Sequence, residues 1–233
     1  MQLSIIIPMY NVALYIRECL YSLRHQGLEG KIFEVIIIDD GSTDNSLEIA
    51  ESQKHYFENI KIISQKNKGL GGARNTGIAH ASATYLAFLD ADDCFLPNSI
   101  KAILNKANET QVDVLEFAAQ GVKANGKVVY HTKNNSDVLS GFEYYNKIRY
   151  MNSACNKLYK RSFLLSSDIF FLERIFIEDF EFNTRVFAKA KKVLATDLLV
   201  AQFLQSPNSI TRNTSPEKRK KMVSDILIVL RKT

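Results

Sequence analysis

The chain has no tryptophan, only three cysteines in 233 residues, and no apolar run near the roughly 20 residues that a membrane span needs. Cys19, Cys94 and Cys155 are odd in number and far apart, with no C-x-x-C spacing. That excludes a disulfide framework and a structural zinc site, and it indicates a reducing compartment. The four histidines, His25, His55, His80 and His131, share no metal-ligand spacing, and no Ser–His–Asp order is readable. Nucleophilic and zinc mechanisms are therefore set aside. No G-K-[ST] occurs, so there is no Walker A loop. The start, Met1-Gln2-Leu3, runs straight into a strand-like segment without a signal-peptide pattern, which predicts a cytoplasmic protein. The formal charge of +5 favours anionic ligands or an anionic membrane surface and is too weak to indicate nucleic acid.

What is present centres on Tyr85-Leu86-Ala87-Phe88-Leu89-Asp90-Ala91-Asp92-Asp93. An apolar run of this kind reads as a buried strand, and its three carboxylates must then sit at its C-terminal mouth. In open α/β sheets ligands bind at that mouth. Carboxylates this close repel one another unless a cation or donors offset them, and their oxygens suit Mg²⁺ or Mn²⁺. The plainer alternative is that Asp92-Asp93 opens a helix with Pro97 in its first turn.

The rest of the chain alternates strands and helices. Leu3 to Pro8 reads as a first strand, ended by Pro8, and Asn11 as the cap of a helix over 12–26 with Leu14, Cys19, Leu20 and Leu23 on its apolar stripe. Phe33 to Ile38 is a second strand, followed by a helix from Asp44 to about Gln53 capped by Ser42 or Thr43. Ile60 to Ser64 is a third strand, and Gly69 opens a helix to about Ala81. This pattern predicts a parallel, three-layer α/β sheet with all strand ends on one edge. Beyond Asn98 a helix, a strand from Val112 and a hairpin around Asn125-Gly126 are expected. Helices follow over 140–150, 152–165 and 176–190, with the last preceded by an aromatic strand. Two short strands over 193–195 and 198–204 come next, and then a basic amphipathic helix over 215–233 that stops abruptly, as in a chain cut there.

Several residues carry chemistry in this frame. The Gly69–Gly72 loop follows the third strand, so it is not a dinucleotide fingerprint, and its glycines allow close approach of a ligand or helix. Arg74, one turn on, could meet a phosphate or be an ordinary surface arginine. One acid of Asp39-Asp40 suits the turn, and the other can accept from a base N–H or a ribose hydroxyl. Glu178-Asp179 offers a general base or a helix-dipole partner. Asn156-Lys157 reads as a solvated helix face or as donors to substrate.

The order SIIIPMYN, EVIIIDDGSTDNS, NKGLGGARNTGI, YLAFLDADD, IEDFEFNTRVF and QSPNSIT resembles the inverting family 2 glycosyltransferases of GT-A fold that build bacterial capsule, O-antigen or lipooligosaccharide chains. The resemblance runs from Ser4 to about Ile210. It implies an α/β, Rossmann-like three-layer sandwich with a mostly parallel central sheet. The catalytic domain would span 1–212, with a nucleotide-binding half over 1–98 and an acceptor-binding half over 99–212, followed by a C-terminal helix over 213–233. Pro8, Tyr10 and Asn11 would contact the nucleotide, Asp40 with Asp39 the uracil ring, and Gly71 and Arg74 the sugar-nucleotide. Asp90 and Ala91 would lie near ribose and sugar, and Asp92 would hold Mn²⁺ or Mg²⁺. Asp179 would be the base, with Glu178 orienting it or the acceptor. The donor would be a nucleotide-sugar, UDP-linked, and the acceptor a glycan or a lipid-linked molecule.

The lack of a Gln-x-x-Arg-Trp motif implies addition of one sugar per encounter. A C-terminal-loop metal contact could come only from Gln205, Ser209 or Thr211. Peripheral membrane contact through Lys218-Arg219-Lys220-Lys221 and the apolar residues beyond is a further expectation. Two other classes remain open here. A nucleotidyltransferase would show glycines where PMYN stands, and a non-catalytic sugar-nucleotide binder would not need both Asp92 and Asp179.

Overall fold

In a computed structural model that describes residues 1–205 and 216–230, the chain forms β1 (Leu3–Met9), α1 (Ile16–Arg24), β2 (Phe33–Asp39), α2 (Ser46–Ser52), β3 (Ile60–Ser64), α3 (Gly69–His80), β4 (Tyr85–Phe88) and β5 (Cys94–Phe95). It continues through α4 (Ile100–Thr110), β6 (Val114–Val122), β7 (Val128–His131), α5 (Gly141–Lys147), β8 (Lys157–Lys160), α6 (Arg161–Ser166), α7 (Glu178–Lys189), β9 (Val193–Leu204) and α8 (Pro216–Leu230). One sheet runs in the order β3-β2-β1-β4-β8-β6-β9-β5, with β7 on the second half of β6.

β1, β2, β3 and β4 pair in parallel, so their C-terminal ends share one edge. Every residue of β1, β2 and β4 is buried, which requires cover on both faces. The continuous Val/Ile/Leu runs follow from that. β8 reverses the direction between β4 and β6, and β9 then pairs parallel with β6. The sheet is mostly parallel, as expected.

Several local expectations are corrected. Pro8 lies inside β1 instead of ending it. Its nitrogen faces the β4 side, and the β4 ladder has already stopped at the Ile6–Phe88 pair. Asn11 does not cap α1, whose N-cap is Tyr15 without a side-chain bond. Asn11 is itself left-handed, at φ 53°, and its Oδ1 accepts from the Thr43 N–H at 2.8 Å. Neither Ser42 nor Thr43 caps α2, which starts at Ser46 after Asn45. Leu14 is 86% exposed, and Ile16 takes its place on the buried stripe.

Asp90 to Asp93 form a turn closed by the Asp93 N–H on the Asp90 carbonyl at 2.9 Å, and β5 follows, so no helix starts there. The span 152–165 is not one helix. It holds β8, where Lys157 is buried against Glu116. The aromatic segment before Glu178 is loop, and the two C-terminal strands are one, β9, with register shifts.

Candidate active site

The cleft edge is built from four loops. At the end of β2, the Asp39 carboxylate accepts from the Ser42 N–H at 3.0 Å and takes the turn role. Asp40 points the other way. Its two oxygens accept from Gln65 Nε2 at 2.7 Å, from the Lys68 N–H at 2.8 Å and from the Gly69 N–H at 2.8 Å. The start of α3 is therefore fastened to β2 by a buried carboxylate. The β1 loop is stitched to the same turn: the Asn11 N–H donates to Ser42 Oγ, and the Val12 N–H to Ser46 Oγ at 2.8 Å. Tyr10 stands half exposed at this edge.

Arg74 organises the centre. It is not a surface arginine, since its side chain is 1% exposed. Nη2 donates to Asp90 at 2.9 Å, and Nη1 donates to Asp179 at 2.6 Å and Glu178 at 3.2 Å. Below it lies an aromatic floor, with the guanidinium 5.1 Å from the Phe171 ring centroid and Phe171 stacked on Phe182. Burial alone would weaken the Arg74 charge, but Asp179 and Asp90 hold its pKa well above the usual arginine value. Its charge is thus committed to three carboxylates, and a phosphate would have to compete with them. Gly71 is explained by packing, because a side chain there would meet the Leu172 carbonyl.

Asp179 is 22% exposed, and its second oxygen accepts from the Ala154 N–H at 3.0 Å. Glu178 is 12% exposed. Burial, opposed by Arg74 and reinforced by Asp179, pushes the Glu178 carboxyl up to about 7. Two left-handed residues, Arg174 and Ile177, shape the approach to this pair. The Phe176 N–H between them donates to Asp225 of α8 at 2.8 Å, and Lys221 donates to both Asp225 and the Arg174 carbonyl.

The acid cluster after β4 divides. Asp93 is buried and accepts from the Leu204 N–H at 2.8 Å, which ties the cluster to β9. Asp92 is partly buried, and no other described residue donates to its carboxylate. Burial and the neighbouring Asp90 push it up to about 6. A carboxylate of this kind favours a nearby cation, yet the described residues hold no group of three His, Cys, Asp or Glu arranged around one. Carboxylate oxygens are the donor type a hard divalent ion takes. The Gln205 backbone N–H donates to the Val122 carbonyl at 2.7 Å and its side-chain Nε2 to the Phe203 carbonyl at 3.4 Å, and Ser209 and Thr211, with most of the QSPNSIT motif, lie outside the described residues.

The structure thus brings Arg74, Asp90, Glu178 and Asp179 into one contact set, with Asp92 adjoining Asp90. It places Pro8, Tyr10, Asn11, Asp39 and Asp40 along the same strand-end edge. The sequence reading missed the Ala154 amide, which no side chain signals, and Asp225, whose one sign is an acid standing among basic residues.

The mostly parallel α/β sheet with acidic loops on its strand-end edge has the GT-A fold of sugar-transferring proteins, as its structural neighbours do. The chain belongs to glycosyl transferase family 2, whose model matches residues 4–169. The uncharacterized glycosyltransferase EpsJ of Bacillus subtilis is 33% identical over 216 residues, covering 89% of this chain and 62% of EpsJ. The poly(ribitol-phosphate) beta-glucosyltransferase of Bacillus spizizenii is 32% identical over 199 residues, covering 83% of this chain and 30% of that protein. A crystal structure of S. aureus TarS 1-349 in complex with UDP-GlcNAc superposes with a TM-score of 0.83 at 27% identity, covering 98% of this chain and 65% of that one. The chain therefore spans less than two thirds of the length of these relatives.

Proposed function

We propose that this chain transfers a single sugar from a UDP-linked nucleotide-sugar to a hydroxyl of a glycan or lipid-linked acceptor, with inversion, in the assembly of a cell-surface polysaccharide. The observation that carries this reading is the Arg74 clamp. It fixes a partly exposed carboxylate, Asp179, beside Asp90 at the ligand edge of a family 2 sheet. Structures of TarS with UDP-GlcNAc and with UDP support the donor class. The relatives named for poly(ribitol-phosphate) support a polymeric acceptor.

In this mechanism the strand-end edge of Pro8, Tyr10, Asn11 and Asp39 takes the nucleoside, Asp40 shapes it by holding the start of α3 in place, and Asp90 orients ribose and sugar. Asp179 has one oxygen on Arg74 and one on the Ala154 amide, which leaves lone pairs free to accept the acceptor hydroxyl's proton. The acceptor oxygen then bonds to the anomeric carbon from the face opposite the diphosphate. The bond to the phosphate oxygen breaks, and the nucleoside diphosphate leaves with the electron pair. One such displacement inverts the configuration. Asp92 would hold Mn²⁺ or Mg²⁺, which neutralises charge on the leaving diphosphate when bound.

Exchanging Asp179→Asn should lower the rate of acceptor-dependent UDP release by about 10²–10⁴-fold. Transfer at the wild-type rate would refute the base assignment.

The outer side of α8 supports contact with an anionic membrane surface, where a lipid-linked acceptor would lie. Met222, Val223, Ile226 and Leu227 are exposed there, near Lys220. No described helix is long and apolar enough to cross a membrane. Absence of binding to anionic vesicles would remove the membrane part of the proposal.

A further inference from the structure

Lys157 lies on β8 with its side chain fully buried, and its ammonium bonds to a neighbouring loop. Its Nζ donates to the carbonyls of Met151 and Ser153, each at 2.7 Å, and to Asn156 Oδ1 at 2.9 Å. Glu116 Oε2 on β6 lies 3.2 Å away as its ion partner. The other oxygen of Glu116 accepts from the Met151 N–H at 3.3 Å and from Asn134 Nδ2 at 2.8 Å, and Asn134 also holds the Arg149 carbonyl. A buried ion pair therefore grips residues 149–153, a stretch with no helix or strand of its own. The next residue, Ala154, donates its N–H to Asp179.

Burying a lysine and a glutamate is costly, and an apolar pair of similar volume often serves stability as well. What the ion pair adds here is directional: the Ser153 carbonyl held on the ammonium lies in the same peptide plane as the Ala154 N–H, and the Met151 carbonyl fixes the turn before it.

We infer that Lys157, together with Glu116, is a positioning residue for the catalytic base, acting through the Met151 and Ser153 carbonyls and the Ala154 amide on Asp179. The inference rests on Asp179 being the base, as proposed above. Neither residue touches substrate, so their removal should act on turnover and spare donor binding.

The test compares the wild type with Lys157→Met, Glu116→Gln and the double variant. Lys157→Met should lower kcat by about 10–100-fold, the scale on which small misplacements of reacting groups act. The donor KM and the UDP dissociation constant should stay within about threefold of wild type. Glu116→Gln keeps one oxygen for the Met151 N–H but puts an amide NH2 in place of the oxygen beside the ammonium, and Lys157 keeps both carbonyls, so the kcat loss should be smaller; the double variant should match Lys157→Met if the pair acts as one unit. A folded Lys157→Met with wild-type kcat would overturn the inference, as would a kcat loss matched by an equal loss of UDP affinity. If Lys157→Met does not fold, wild-type kcat in Glu116→Gln overturns it in the same way.

Hydrogen exchange of the Ala154 amide gives a readout that needs no turnover. Faster exchange in Glu116→Gln with the sheet unchanged supports the coupling, and unchanged exchange refutes it. A wild-type protein that transfers no sugar would instead refute the functional reading and leave the exchange result to decide this one.

Discussion

Glu178 carries two opposing demands in one side chain. It lies 3.2 Å from Arg74, which favours its charge, but burial and Asp179 outweigh that and raise its pKa from 4.5 to about 7. Between those two values the folded protein keeps a proton that the unfolded chain releases. Its contribution to stability is therefore full below pH 4.5 and is lost as pH rises through about 7. Glu178→Gln, which cannot ionise, should match wild type near pH 4.5 and exceed it at pH 8. The gain should be on the order of 1–3 kcal/mol, or roughly 2–12 °C in Tm. Thermal melts of both proteins across that range check it, and a pH-independent difference would contradict the linkage. The gain should come with slower turnover, because sites built for chemistry often give up stability.

The site was legible at this scale only in part. Asp39, Asp90, Asp92 and Asp179 announce themselves as carboxylates at strand or helix ends. What each one bonds to depends on loops that fold against each other, and no sequence spacing encodes that. Arg74 shows the difference. Its spacing in α3 placed it near the cleft, but only the assembled sheet shows it buried on Phe171 between three acids.

Among the elements, α3 shows how packing overrides propensity. It lies on β1 and β2, and a side chain at Gly77 would meet Ile6 on β1. Helix propensity alone would favour Gly77→Ala by about 1 kcal/mol. Overpacking a filled interior costs about 1–3 kcal/mol, so the net change should be a loss. Urea melts should show it, and Ile6→Val in the same chain should recover part of it; a stabilised single variant would mean that the contact yields freely. The parallel strands β1, β2 and β4 were readable because burial on both faces writes them as unbroken apolar runs. β8 was not, because KLYK looks like a solvated helix face until Glu116 is seen beside Lys157. β5 has two residues and no pattern to read.

Over the whole molecule, the first four strands, β1 to β4, are contiguous, while β6, β8 and β9 extend the sheet beyond them. Asp179 on α7 belongs to the second group and Arg74 on α3 to the first, so the clamp between them is also a fastening between the two parts. The general architecture followed from strand–helix alternation and right-handed crossovers. The reversal at β8 did not, since nothing in the sequence marks direction once a strand is short and carries charge.

α8 reaches back across this arrangement through one carboxylate. Asp225 fixes the Phe176 amide, two residues ahead of Glu178. Helix α8 is therefore a brace for the loop that leads into the Glu178–Asp179 pair. A protein shortened to residue 205 should keep its sheet and its far-ultraviolet spectrum less one helix. It should lose turnover by about tenfold, with Asp225→Asn in the full chain showing part of that loss. Undiminished turnover in the shortened protein would show that the approach to the acid pair stands without its brace.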